Sequence, residues 1–157
     1  MKSLLRTMIV GAVLSLGVAM AANAPDPVVG TWNLNVAKSK IDPSQAFKSQ
    51  TRTYTEGADG ISVNVTGVRA DGSALSQQST FKYDNKAYPW SGAADYDSLT
   101  LKRVNGSTVT AVLMKAGKKV GTTTRTISGH GKVMTLSTHV KSADGKSYGT
   151  VLVLDRQ

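Results

Sequence analysis

The chain has 157 residues and a mass of 16.5 kDa, which is room for one domain and not comfortably for two. Apolar residues make up 40% and charged residues 18%, too apolar for a disordered chain. Without a cysteine, and with only His130 and His139 as imidazoles, disulfides, thiolate or multi-histidine metal sites, a cysteine nucleophile and a Cys-linked lipid anchor are excluded.

The first segment reads as a secretory signal peptide. Lys2 and Arg6 precede an uncharged apolar run from Met8 to Met20, which is too short to span a bilayer comfortably. Ala19-Met20-Ala21 and Ala22-Asn23-Ala24 are both small-x-small cleavage patterns. Cleavage is expected after Ala21, with Ala24 as the alternative, because Pro25 would directly follow the second scissile bond. Losing Lys2 and Arg6 from the 19 basic residues leaves 17 against 10 acidic ones, a formal charge of +7. The mature chain is therefore expected outside the cytoplasm, in a bacterial periplasm or secreted, as a monomer without a transmembrane segment. Its charge suits anionic envelope components and not nucleic acid, since the basic residues are scattered and the chain is exported.

From residue 28 to residue 157 the pattern is all-β. Turn signals recur at short intervals: Gly57-Ala58-Asp59-Gly60, Ala70-Asp71-Gly72, Asp84-Asn85, Asn105-Gly106, Ala116-Gly117, Gly129-His130-Gly131 and Ala143-Asp144-Gly145. Asp-Gly and Asn-Gly accept the positive φ of tight hairpins. The segments between them are rich in Thr, Val and Tyr, which suit a pleated surface. About ten strands result, over 29–36, 49–56, 60–69, 73–84, 86–91, 98–104, 107–115, 118–128, 131–141 and 146–155. Helix is confined to one short turn within Ala37 to Lys48, starting at Asp42-Pro43.

A meander of this length must dispose of its two edges, and closing into an up-and-down antiparallel barrel does so. An even strand number lets the first and last strands pair antiparallel. That pairing sets Trp32 beside Arg156 at the closed end, the indole covered by the guanidinium. The inward set along the first strand is Trp32, Leu34 and Val36. Farther on, the inward residues are Tyr54, Ile61, Val63, Val65 and Phe81, then Leu99, Leu101, Met134, Leu136, Leu152 and Leu154. A two-sheet sandwich is the alternative architecture, and it would need longer crossovers.

Gly30-Thr31-Trp32-Asn33-Leu34 at the first strand resembles the Gly-x-Trp signature of the calycin superfamily, the lipocalins and fatty-acid-binding proteins. The segments GTWNLNVAKSKIDP, YDNKAYPWSG, SLTLKRVN and VLVLDRQ, in this order, resemble a family of small exported bacterial lipocalin-like proteins of unassigned function. The resemblance implies a barrel in which Gly30, Trp32 and Arg156 serve closure. Two features depart from the fatty-acid-binding branch. The interval between the first two strands is too short for a helix-turn-helix cap. Leu152 and Leu154 stand where that branch carries an Arg-x-Tyr pair for the ligand carboxylate.

Three functional readings stay open. The first is an exported protein that holds an apolar or amphipathic ligand in the barrel, with Tyr54, Phe81, Tyr88, Trp90 and Arg125 as cavity or rim candidates. Arg125 could pair with a ligand anion if it faces inward; facing outward it is one more solvated cation. Tyr88-Pro89-Trp90 fits either a pocket mouth or rim packing. The second reading is a small barrel enzyme, for which Asp95 and Asp97 are the sole paired carboxylates in view, in a segment that reads as a loop. No hydrolase elbow, zinc-protease motif or phosphate loop is present, so no catalytic residue is assigned. The third is an envelope interaction module acting through its basic outer face. No cofactor and no metal are expected.

Overall fold

The computed structural model describes residues 24–157. The expected signal peptide and its first cleavage site lie outside the described residues. The rest folds as expected, into a single ten-stranded antiparallel sheet curled into a barrel. The strands are β1 (Gly30–Leu34), β2 (Phe47–Gly57), β3 (Gly60–Arg69), β4 (Ala74–Phe81) and β5 (Asp84–Pro89). They continue with β6 (Ser98–Arg103), β7 (Thr108–Lys115), β8 (Lys118–Ser128), β9 (Val133–Lys141) and β10 (Ser147–Arg156). Two 3-10 turns, Val36–Lys38 and Pro43–Gln45, occupy the interval after β1, the second capped by Asp42 as its Asp-Pro start implies.

Local chemistry accounts for the hairpins. Ala116 and Gly117 both take positive φ (48° and 76°), the geometry of a tight turn whose twist matches its strands. Asp71, Asn105 and Asp144 each accept a hydrogen bond from the backbone two residues on, at 2.8, 2.9 and 3.0 Å. Between the turns, alternation sorts the faces. Ile61, Val63 and Val65 are buried on β3, as are Met134, Leu136 and Val140 on β9.

Strand order around the sheet is β4-β3-β2-β1-β10-β9-β8-β7-β6-β5. The terminal strands pair antiparallel with Trp32 opposite Arg156, Asn33 opposite Asp155 and Leu34 opposite Leu154. The discontinuity lies instead between β4 and β5, neighbours in sequence that share no ladder. An isolated bridge, Gln78 to Ser91, and a 2.7 Å bond from the Ser79 hydroxyl to the Pro89 carbonyl span this seam. Pro89 has no N–H to offer to a ladder, which suits β5 to a seam.

One part of the inward set is corrected. Val36 is exposed, whereas Leu34 is half-buried and packs against the core. The strand stops at Leu34 because Asn35 caps the turn that follows, its side chain accepting from the Lys38 N–H at 3.1 Å. Alternation cannot continue through that turn. The other twelve inward positions are all buried.

The closed end is built around Trp32. Its side chain is fully buried, its Nε1 donates to the Val28 carbonyl at 2.8 Å, and the Arg156 guanidinium lies 4.2 Å from its ring centre. Arg156 donates to the carbonyls of Gly131 and Val29, each at 2.6 Å, and to that of Pro27. One side chain thereby ties the β8–β9 turn and the entering chain to the end of β10. Gly30 makes room for it: φ is +134°, and a Cβ there would lie 2.6 Å from Arg156 Nη1. Gly30→Ala should therefore destabilise the fold by about 1–3 kcal/mol, the cost of a residue forced into a sparsely populated backbone region. Chemical denaturation of the two proteins measures it.

Candidate functional site

The barrel encloses an interior chamber. A cavity of about 70 Å³ is bounded by Arg52 and Tyr54 of β2, Phe81 of β4, Trp90 and Tyr96 of the β5–β6 loop, and residues of β6 to β10. Most of the latter are apolar: Leu99, Leu101, Val109, Leu113, Leu136 and Leu152. Thr123 and Thr138 add hydroxyls, joined to each other at 2.8 Å. No carboxylate lines this chamber.

Arg125 is its chemical centre. It is 6% exposed and shares the inward face of β8 with Ile127. Its Nη2 donates to the Tyr83 hydroxyl at 2.6 Å, and the guanidinium lies 5.6 Å from the Tyr54 ring and 5.5 Å from the Tyr83 ring. It has no carboxylate partner among the described residues. Aromatic faces compensate part of a buried cation's lost hydration but leave most of its N–H donors without an acceptor. A guanidinium cannot shed its proton to escape the cost, so the site is electrostatically suited to an anion. Burial pushes the Tyr83 hydroxyl pKa upward despite the neighbouring Arg125, keeping it neutral. Trp90 adds a second unused donor: its Nε1 is buried with no acceptor, a condition that costs about 1–3 kcal/mol if nothing fills it.

Outside this chamber the barrel mouth opens as a second hollow of about 380 Å³. Its wall is polar: Gln50 and Thr150, both buried, with Arg52, Arg69, Asp95 and Tyr148. Arg52 Nε donates to Gln50 Oε1 at 2.8 Å, and the Arg69 guanidinium stands 5.9 Å from the Phe47 ring. Arg52, Tyr96, Thr138 and Leu152 border both hollows.

Of the residues expected at the site, Tyr54, Phe81, Trp90 and Arg125 converge on the inner chamber, and Arg125 takes the inward of its two readings. Tyr88 does not line it. It sits half-buried on the edge strand β5, and its hydroxyl donates to Asp84 at 2.9 Å. Gly30, Trp32 and Arg156 lie together at the closed end. The Asp95 and Asp97 carboxylates serve as ties. Asp95 accepts from the Ser142 hydroxyl at 2.7 Å and the Tyr148 hydroxyl at 2.9 Å, and Asp97 accepts from the Ala116 N–H at 2.9 Å. His139 is exposed on the outer face, as its alternation against Leu136 implies.

Seven lining residues were missed from the sequence: Arg52, Tyr96, Val109, Ala111, Leu113, Thr123 and Thr138. Arg52 shares strand parity with Tyr54, which was a usable signal. Tyr96 lies in a loop, where no periodicity points inward.

A crystal structure of the zebrafish ileal bile acid-binding protein complexed with cholic acid superimposes with a TM-score of 0.49. The match covers 83% of this chain and 99% of that one, at 10% identity. A likeness of that degree transfers neither a ligand nor a chemistry. No family model matches the sequence, and no curated protein does. Among the described residues, no group of three His, Asp or Glu side chains could hold a metal, and no helix is long and apolar enough to cross a membrane.

Proposed function

We propose that this chain is an exported binding protein that holds a small amphipathic acid inside its barrel. The observation that carries the reading is Arg125, a buried cation in a mostly apolar wall with no carboxylate partner among the described residues. A ligand carboxylate would accept the guanidinium's unused donors, and a ligand oxygen would suit the unpartnered Trp90 Nε1. The apolar body would lie on Phe81, Leu99 and Leu113. Export to a bacterial periplasm rests on Lys2, Arg6 and the apolar run to Met20. Cell fractionation with N-terminal sequencing tests it; an intact Met1 on cytoplasmic protein would overturn it.

Titration calorimetry with butyrate, hexanoate and decanoate tests the binding site. Arg125→Gln should weaken the best of these about ten- to a hundredfold, the equivalent of ~1.5–3 kcal/mol for charged hydrogen bonds. Arg125→Lys should restore part of the loss. Equal affinity in the wild type and Arg125→Gln would remove the anion-binding role, and so would an absence of carboxylate binding by the wild type.

A second reading, docking on anionic envelope components, is favoured by one surface. Lys115, Lys118, Lys119 and Lys141 are exposed around a shallow hollow beside the β5–β6 loop, and none has a carboxylate partner among the described residues. Sedimentation with phosphatidylglycerol vesicles should show association that falls as salt rises, since the screening length is only about 10 Å at 0.1 M. Association that is indifferent to salt would remove the electrostatic basis.

A further inference from the structure

We propose that Tyr96 is a gate between the two hollows, and that Asp95 latches it shut by its hydrogen bonds to Ser142 and Tyr148. In its ligand arm this rests on the binding function above; in its structural arm it does not.

Four residues separate the inner chamber from the mouth: Arg52, Tyr96, Thr138 and Leu152. Arg52 of β2 and Thr138 of β9 have their backbones locked in ladders on both sides, and Leu152 of β10 is laddered to β9 beside the isolated Lys40–Val151 bridge. Tyr96 alone sits in a loop. It is therefore the one divider whose backbone can move without breaking sheet hydrogen bonds. Its ring packs on Trp90 at 5.9 Å between centres, tilted by 48°.

The loop is fastened at its two ends and latched in its middle. At the base, the Trp90 N–H donates to the Asp97 carbonyl at 2.8 Å, and the Asp97 N–H donates to the Met114 carbonyl at 2.9 Å. Gly92, at φ +82°, passes so close to the Ser76 carbonyl that any Cβ would overlap it. From 93 to 96 the loop is held chiefly through side chains. Asp95 receives the Ser142 and Tyr148 hydroxyls, at 2.7 and 2.9 Å, and Lys115 Nζ reaches the Ala94 carbonyl at 3.1 Å. Burial and the adjacent Asp95 carboxylate push the Tyr148 pKa well up, so its hydroxyl stays a donor. Fixed ends with a side-chain latch between them are the construction of a segment that can swing as a unit.

Size gives the gate its consequence. The inner chamber of about 70 Å³ is far below the ~300–1,000 Å³ typical of small-molecule pockets. The mouth, at about 380 Å³, falls within that range. Shut, Tyr96 restricts the Arg125 chamber to a short acid; open, it joins that chamber to the mouth and admits a longer chain.

Two measurements decide this. The first needs no ligand. Trp32 is fully buried at the closed end, and Trp90 lies against Tyr96, so acrylamide quenching of tryptophan fluorescence reports Trp90. In Ser142→Ala/Tyr148→Phe, quenching should rise severalfold while the melting temperature stays within a few degrees. Unchanged quenching in that folded variant would overturn the latch. The second measures chain-length preference. Tyr96→Ala should raise the affinity for decanoate relative to butyrate at least tenfold, and Tyr96→Phe should leave the ratio as in the wild type. An unchanged ratio in Tyr96→Ala would overturn the gate; if that variant does not fold, Tyr96→Leu takes its place. Should no carboxylate bind any of these proteins, the binding function falls and the quenching result alone decides the latch.

Discussion

Trp32→Ala should lower stability by about 3–5 kcal/mol, the range for deleting a fully buried aromatic side chain. Three losses combine at that position. The indole fills the closed end with no exposed surface, its Nε1 satisfies the Val28 carbonyl, and its face carries the Arg156 guanidinium. The remaining guanidinium would keep its carbonyl partners at Gly131 and Val29 but lose its aromatic support. Against a total of about 5–15 kcal/mol for a domain of this kind, the change would leave little margin. Urea denaturation followed by circular dichroism would measure it. Trp32→Phe should lose less, because it retains most of the volume and forfeits the Nε1 bond. A loss under about 1 kcal/mol in Trp32→Ala would mean that the closed end can collapse around the void.

Removing residues 153–157 should open the barrel. The deletion takes away Leu154, fully buried, and Arg156 with its three carbonyl contacts. It also removes every β10 partner of β1: Leu154, Asp155 and Arg156 face Leu34, Asn33 and Trp32. β1 would then present an unpaired edge, which invites pairing with other chains. Size-exclusion chromatography should show aggregates, and the melting transition should fall sharply or vanish. A truncated protein that stays monomeric with an unchanged melting temperature would show that the β1–β10 pairing is dispensable. The seam between β4 and β5 makes the comparison informative, because there the barrel already forgoes a ladder and is spanned by Gln78, Ser79, Pro89 and Ser91 instead.

Much of the architecture was legible before any coordinates. Turn residues with tolerance for positive φ bracket each strand, and strands such as β3 and β8 start and stop where the turn chemistry says they should. The Trp32–Arg156 pairing followed from strand parity alone, and the register places the two directly opposite. Those features are local, or follow from counting. Pro89 announced a weak ladder in β5, yet which neighbour β5 would forgo is not a local property. β5 pairs with β6 along Ala87 to Pro89 and leaves β4, although β4 precedes it by only a short turn.

The site divides along the same line. Tyr54, Phe81 and Trp90 reach the chamber as aromatic residues of inward parity or of a strand end, and Arg125 could have been placed there through its parity with Ile127. Its meaning depended on something no single strand contains: the lack of a carboxylate among all the residues that line the chamber, which leaves the cation unpaired. Tyr88 shares the composition of a rim aromatic and was drawn instead to Asp84 on its own edge strand. Tyr96 had no periodicity to declare it, because a loop side chain is aimed by distant partners. Asp95 meets Ser142 and Tyr148 across about fifty residues of chain, at separations of 47 and 53. Alternation and turn chemistry act between near neighbours and so are written in the order of residues. Cavity boundaries, seams and latches depend on which distant strands curl together, and only the closed barrel decides them.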